Sequence, residues 1–180
     1  MKQVENVMIE YLASNIRTIQ DFPKKGISFK DITPLLQNSE TLEMTSQLLA
    51  RPFRGLGIDY VLGLESRGFL FGIPLAQDLH AGFIPVRKPD KLPWSTKQVT
   101  YDLEYGQDAL EMHDDALTSG SKVVIHDDLI ATGGTAAAAT RLAVEMGAEI
   151  AGYSFVMEIS ALNGRRALQP DVPVEVLIQV

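Results

Sequence analysis

The sequence predicts an α/β fold, a largely parallel central sheet flanked by helices. Two observations carry that prediction. Short apolar runs such as Tyr60-Val61-Leu62, Phe83-Ile84-Pro85-Val86 and Val123-Val124-Ile125 alternate with longer stretches of helical period, the order expected of strand–helix–strand units. One junction, His126-Asp127-Asp128-Leu129-Ile130-Ala131-Thr132-Gly133-Gly134-Thr135, joins a buried-type strand to two acids, a small-residue turn and an alanine-rich helix. In parallel sheets ligands sit beyond the carboxyl ends of the strands, so this junction is where a site is expected.

The elements follow in order. Val4, Val7, Met8, Tyr11, Leu12 and Ile16 recur at helical spacing and open the chain with an amphipathic helix. Residues 21–26, with Pro23 and Gly26, break it, and residues 27–36 read as a short irregular or extended piece. Residues 39–49 read as a helix capped by Ser39. A strand over 58–64 precedes a helix over 68–79, and a second strand covers 83–86. Residues 88–106 are polar, carry Pro89 and Pro93, and read as a long mobile loop edged by β-prone pieces. Residues 109–113 alternate weakly as a strand. A strand over 122–125 ends at the acids, a helix runs over 135–146 with Gly147 closing it, and strands follow at 149–157 and 174–178.

The 180 residues form one expected domain (1–180), large enough to bury a core. Hydrophobic residues make up 46% of the chain, and the mean hydropathy of +0.04 is that of a soluble globule. A net charge of −7 disfavours nucleic acid and anionic membrane as partners, while leaving room for a local basic pocket. The chain has no cysteine, which excludes disulfides, thiolate metal sites and thiol catalysis. No apolar run approaches the ~18–20 residues of a membrane span. The first residues carry Glu5 and Glu10 and lack the pattern of a signal peptide, so a cytoplasmic location is expected.

At the 126–135 junction, the helix end offers free N–H groups and the positive end of a dipole to an anion. The glycines let backbone amides approach that anion, and Thr132 and Thr135 add hydroxyls. Two acids at a strand end are able to bind Mg2+, to accept from two ribose hydroxyls, or simply to be solvated. Carboxylates repel phosphate, so they face another part of the ligand, and a ribose 5-phosphate has both halves. The segment has neither the Gly-Lys-Ser/Thr ending of a Walker A loop nor the spacing of a dinucleotide fingerprint.

The junction resembles the phosphoribosyl-diphosphate motif of type I phosphoribosyltransferases. Four further pieces are similar to the adenine phosphoribosyltransferase branch: Phe22-Pro23-Lys24-Lys25-Gly26-Ile27-Ser28-Phe29-Lys30-Asp31-Ile32-Thr33-Pro34, Gly63-Leu64-Glu65-Ser66-Arg67-Gly68, Arg87-Lys88-Pro89-Asp90-Lys91-Leu92-Pro93 and Tyr101-Asp102-Leu103-Glu104-Tyr105-Gly106. The resemblance implies a small N-terminal hood (about 1–36) over the base site and a core over about 37–180. It implies transfer of the phosphoribosyl group from phosphoribosyl diphosphate to adenine, giving AMP and diphosphate, with Mg2+ held by substrate and no metal ligand directly from protein. Asp127 and Asp128 then read the ribose, and Ala131, Thr132, Gly133, Gly134 and Thr135 hold the 5-phosphate. Ser66, Arg67, Arg87, Lys88 and Lys91 hold the diphosphate, and the Glu65–Ser66 peptide is cis. Glu104 is the implied acid/base, with Tyr101 and Tyr105 beside it. Ser28, Phe29, Lys30 and Ile159 bind adenine, Phe29 stacking on one face and Ile159 packing on the other. Family members commonly pair, so a homodimer is expected.

Three positions depart from the family pattern. Asp90 stands where glycine is usual, Trp94-Ser95-Thr96 replaces small or polar residues, and His126 stands where an apolar residue is usual. Two other readings compete. The same fold acting on xanthine, orotate or uracil is opposed by Gly26-Ile27-Ser28-Phe29-Lys30-Asp31-Ile32-Thr33-Pro34. A regulator that binds the donor without turnover is opposed by the acidic charge, the absence of a further domain and the presence of Glu104.

Overall fold

A computed structural model describes residues 2–103 and 106–180. The chain divides into two compact units, Met1–Leu48 and Leu49–Val180.

In the first unit, helix α1 (Lys2–Ser14) leads into strand β1 (Arg17–Gln20), which pairs antiparallel with β2 (Ser28–Asp31). The predicted apolar stripe of α1 is only partly covered. Leu12 is fully buried, whereas Val4 and Val7 are 66% and 62% exposed. The piece expected to be irregular or extended over 27–36 is instead β2 followed by a short helix α2 (Thr33–Gln37), with Pro34 in its first turn. Proline suits that position because its missing N–H has no helical partner there. Helix α3 (Ser39–Ala50) carries the chain across the division between the units. Its expected cap, Ser39, lies inside the helix. Asn38 does the capping, its side-chain oxygen accepting the Glu40 N–H at 2.8 Å.

The second unit is built on a five-stranded parallel sheet of order β4-β3-β7-β8-β9. The strands are β3 (Tyr60–Leu64), β4 (Gly82–Val86), β7 (Lys122–Ile130), β8 (Glu149–Glu158) and β9 (Val174–Gln179). Parallel strands need crossovers, which here include α4 (Gly68–Asp78) between β3 and β4 and α5 (Gly134–Glu145) between β7 and β8. Leu62, Leu64, Val123, Ile125, Tyr153 and Phe155 of the sheet are buried in one cluster with Ala138, Ala139 and Leu142 of α5. The alanines of α5 let the helix lie close on the sheet. Gly147 closes α5 at φ +85°, with its N–H on Val144 O and the Ala148 N–H on Ala143 O.

The expected long loop over 88–106 is largely a β-ribbon. Strand β5 (Thr96–Leu103) pairs antiparallel with β6 (Gly106–His113), in a register running from Thr96 opposite His113 to Leu103 opposite Gly106. Alternate burial of Val99 and Tyr101 against exposed Gln98 and Thr100 explains the strand, since one face lies on the core and the other is polar.

Candidate active site

Strand β7 pairs with β8 as far as Ile130 opposite Glu158, but with β3 only as far as Gly63 opposite His126. The two acids therefore sit inside the strand rather than at its tip, at the point where one neighbour has dropped away. Asp127 Oδ1 accepts the Asp128 N–H at 2.8 Å, and Asp128 Oδ2 lies 3.1 Å from Arg67 Nε. Asp128 is 2% exposed, and that oxygen meets Arg67 as an ion pair without an aligned hydrogen bond. Burial pushes the Asp127 carboxyl well above the usual range, and the Asp128 charge pushes it further. Burial also raises Asp128, with Arg67 opposing. An under-satisfied buried carboxylate suits a ligand that brings hydroxyl donors.

Beyond the acids, loop 131–135 and the first turn of α5 enclose a pocket of about 90 Å³, with Asp127 and Phe155 on its wall. Gly133 starts the helix in the left-handed region at φ +81°. The back of the loop lies on the turn at Gly164. A Cβ on Gly133 would fall on Gly164 O and lie 3.0 Å from Ala167 Cβ. A Cβ on Gly164 would fall on Ala131 O and lie 2.9 Å from Ile130 Cγ1. Two backbones thus meet where neither side tolerates a side chain. Arg165 holds this turn to the end of β8 through a two-pronged contact with Glu158 at 2.7–3.0 Å.

The predicted cations lie in the same unit, on the segments that follow β3 and β4. The Glu65–Ser66 peptide is cis, as the resemblance implies. Ser66 is exposed just ahead of α4, and Arg67 meets Asp128. Arg87 donates to Glu65 at 2.7 Å and to Lys91 O at 3.3 Å, and its guanidinium lies 5.7 Å from the centre of the Phe69 ring. Lys88 Nζ lies 3.0 Å from Asp108 Oδ2, which raises the lysine above its ordinary value. That pair is half exposed, so it is worth at most about 1 kcal/mol to stability, and its consequence is the orientation of Lys88. The Lys91 side chain is exposed, whereas its N–H donates to Glu111 at 3.2 Å.

Three residues beyond the sequence-predicted set tie these segments together. Asp108 of β6 takes Lys88. Tyr101 of β5, directly opposite Asp108, donates to it at 3.4 Å. Glu111 of β6 accepts from the Lys91 and Leu92 N–H groups. The available signal was weak: an acid at each of two positions in a segment with little alternation.

In the first unit, Phe29 is half-buried and stacks edge-on to Phe22 at 5.2 Å, Lys30 Nζ donates to Thr18 Oγ1 at 3.0 Å, and Ser28 is exposed. In the second, Ile159 is half-buried just after β8, its N–H donating to Ile130 O at 3.0 Å. Glu104 and Tyr105 lie outside the described residues. His126 is fully buried in the middle of the sheet, not at a strand end. Its Nδ1 lies 3.2 Å from Ser154 Oγ, Nε2 has no hydrogen-bond partner, and burial lowers its pKa to about 3. Among the described residues there is no cluster of three or more His, Asp or Glu that could hold a metal ion, and no helix long and apolar enough to cross a membrane.

The profile of the phosphoribosyl transferase domain family matches residues 35–172. The chain is 54% identical over 169 residues to the adenine phosphoribosyltransferase of Microcystis aeruginosa, covering 93% of this chain and 98% of that one. It superposes on the crystal structure of adenine phosphoribosyltransferase from Rhodothermus marinus with a TM-score of 0.94 at 48% identity, covering 97% and 99% of the two chains. The Saccharomyces cerevisiae adenine phosphoribosyltransferase, crystallised with an imino-altritol bisphosphate and adenine, matches with a TM-score of 0.89 at 41% identity over 96% and 99%.

Proposed function

The chain belongs to the phosphoribosyl transferase family, in its adenine phosphoribosyltransferase branch, and from that premise we propose how its residues share the work. It is a purine-salvage enzyme that transfers the 5-phosphoribosyl group from phosphoribosyl diphosphate to adenine, giving AMP and diphosphate. The observation that carries the site assignment is the pocket at the N-terminus of α5, walled by small residues and flanked by the half-buried Asp127 and the buried Asp128.

Loop 131–135 binds the 5-phosphate with its amides and with the hydroxyls of Thr132 and Thr135, at the positive end of α5. Asp127 and Asp128 accept from the ribose hydroxyls. The unmatched Asp128 Oδ2 supports this, because a buried acceptor gains most from a donor the ligand supplies. As the bond to the anomeric carbon breaks, positive charge grows on the ribose and negative charge on the departing diphosphate. Arg67, Arg87, Lys88 and Lys91, with Ser66, stabilise the latter, and their carboxylate partners hold three of them in place beforehand. Ser28, Phe29, Lys30 and Ile159 bind adenine. Glu104 handles the proton at the attacking purine nitrogen.

Mg2+ supplies further charge neutralisation when bound, held by donor oxygens rather than by a protein cage. Mg2+ dehydrates reluctantly, keeps several waters and is bound largely through substrate phosphates rather than by a dedicated all-protein cage. The enzyme acts in the cytoplasm and as a homodimer. Apolar residues exposed on α4, Leu70 at 45% and Ile73 at 48%, support pairing. Light scattering giving the mass of one chain would remove the dimer.

Activity measurements with Mg2+ and phosphoribosyl diphosphate test this reading. Adenine is expected to turn over far faster than hypoxanthine or guanine, whose 6-oxo group mismatches a site built for an amino group. Equal or faster use of a 6-oxopurine would falsify the base assignment, and near-normal activity in Glu104→Ala would remove that residue from the mechanism.

A further inference from the structure

Glu111 is among the few charged side chains buried in the fold, at 5% exposure. Its Oε1 accepts the N–H groups of both Lys91 and Leu92 at 3.2 Å, and its Oε2 accepts the Thr96 hydroxyl at 3.2 Å. Its backbone exchanges two hydrogen bonds with Arg87, at 2.7 and 2.9 Å, joining β6 to the end of β4. One residue therefore grips the segment from Arg87 to Lys91 at both ends, by main chain at the first and by side chain at the last. Arg87 closes the segment across its mouth by donating to Lys91 O at 3.3 Å. Within it Asp90 is held in the left-handed region at φ +65°, a conformation a non-glycine residue keeps when its surroundings dictate it. The Arg87 and Lys88 side chains are held by Glu65 and Asp108, and that of Lys91 is exposed.

We propose that Glu111 is a positioning residue for diphosphate binding: its buried carboxylate shapes the loop that presents Arg87, Lys88 and Lys91, and so sets donor affinity without touching substrate. This inference rests on the assignment of those three cations to the diphosphate. A negative charge beside a diphosphate site would ordinarily weaken binding. Here it is buried and engaged by three hydrogen bonds, from the Lys91 and Leu92 N–H groups and the Thr96 hydroxyl, so its net effect is to order the cations. A glutamine retains most of that geometry. Its amide oxygen accepts the two N–H groups, and its NH2 donates to the Thr96 hydroxyl.

Steady-state kinetics with donor and adenine varied separately test the proposal on Glu111→Ala, Glu111→Gln and Lys91→Ala, with thermal melting beside them. Glu111→Ala is expected to raise the KM for phosphoribosyl diphosphate by about tenfold or more and to leave that for adenine within about twofold, because only donor-side groups lose their positions. Glu111→Gln is expected to stay within about threefold of the parent for both substrates. A lowered melting temperature with unchanged donor KM in Glu111→Ala makes the residue purely structural and overturns the proposal, as does a glutamine variant as impaired as the alanine one. If Glu111→Ala does not fold, Thr96→Val decides. It removes the donor to Oε2 and is expected to raise the donor KM by about two- to fivefold, and no rise overturns the proposal. Lys91→Ala with an unchanged donor KM strikes instead at the diphosphate assignment on which the inference rests.

Discussion

Replacing Gly164 with alanine tests how tightly the 5-phosphate loop is built. The added Cβ would fall on Ala131 O and lie 2.9 Å from Ile130 Cγ1 and 3.1 Å from the Ala131 carbonyl carbon. An ordinary carbon–oxygen contact is about 3.3–3.6 Å, so the two backbones must part by about 1 Å. Both neighbours are main chain or buried, and neither can swing aside as a flexible side chain would. Overpacking of this kind costs about 1–3 kcal/mol, which for a chain of this size is a loss of about 2–12 °C in Tm. The functional loss is expected to be larger. Ala131 opens the loop that carries the phosphate-binding amides, and a misplacement of about 1 Å in a positioning group costs about a hundredfold in kcat/KM. Continuous assay of AMP formation at varied donor concentration, with calorimetric melting of the same preparation, reads both quantities. A Gly164→Ala enzyme with the parent's donor kcat/KM and Tm would refute the close approach and the loop's dependence on it.

Two adjacent residues of β7 give opposite pH signatures. Burial lowers His126 from an ordinary 6.5 to about 3, so its contribution to stability is present above pH 6.5 and is lost as pH falls toward 3. Across that window the loss is on the order of 4 kcal/mol, at 1.36 kcal/mol per unit. Denaturant titrations from pH 7 to pH 4 should therefore show a shallower fall in His126→Val than in the parent, and parallel curves would mean that the native imidazole is not held neutral. Asp127 has the reverse sign. Its folded pKa lies above its unfolded value of 3.8, so the stability it contributes is present below 3.8 and lost as pH rises through the folded value. Asp127→Asn keeps an acceptor for the Asp128 N–H and should raise stability near pH 7.5 while doing little at pH 4. A lower Tm at pH 7.5 in that variant would contradict the reading of a strained carboxylate pair.

The parallel sheet and the phosphate loop are legible in the sequence because their signals are local. Val123-Val124-Ile125 is a β-branched apolar run of strand length with polar residues on both sides, and Thr132-Gly133-Gly134-Thr135 needs no distant partner to declare a turn. The β5–β6 ribbon is hidden because each face mixes residue types, Lys97 and Asp108 lying with Val99, Tyr101, Leu110 and Met112, and the buried Glu111 with Gln98 and Thr100, so the hydrophobic alternation is diluted. Asn38 escapes as the α3 cap because Ser39 beside it has the same capping chemistry, and only the backbone decides which of them stands outside the helix. The exposed Val4 and Val7 show the reverse failure, a clear apolar stripe that the chain itself leaves uncovered. Asp90 is explained only by its dihedral. The left-handed φ of +65° is why glycine suits that position, and aspartate is among the residues that tolerate it. The ion pairs Lys88–Asp108 and Arg165–Glu158 join segments that no periodicity connects, so they need the fold before they can be seen.

A crystal structure of the protein with AMP bound tests the division of labour at the site most directly. The account predicts the phosphate at the N-terminus of α5, receiving N–H groups from residues 132–135, with both ribose hydroxyls against Asp127 and Asp128. A phosphate lodged among Arg87, Lys88 and Lys91, with the 131–135 loop making no contact to it, would contradict the account.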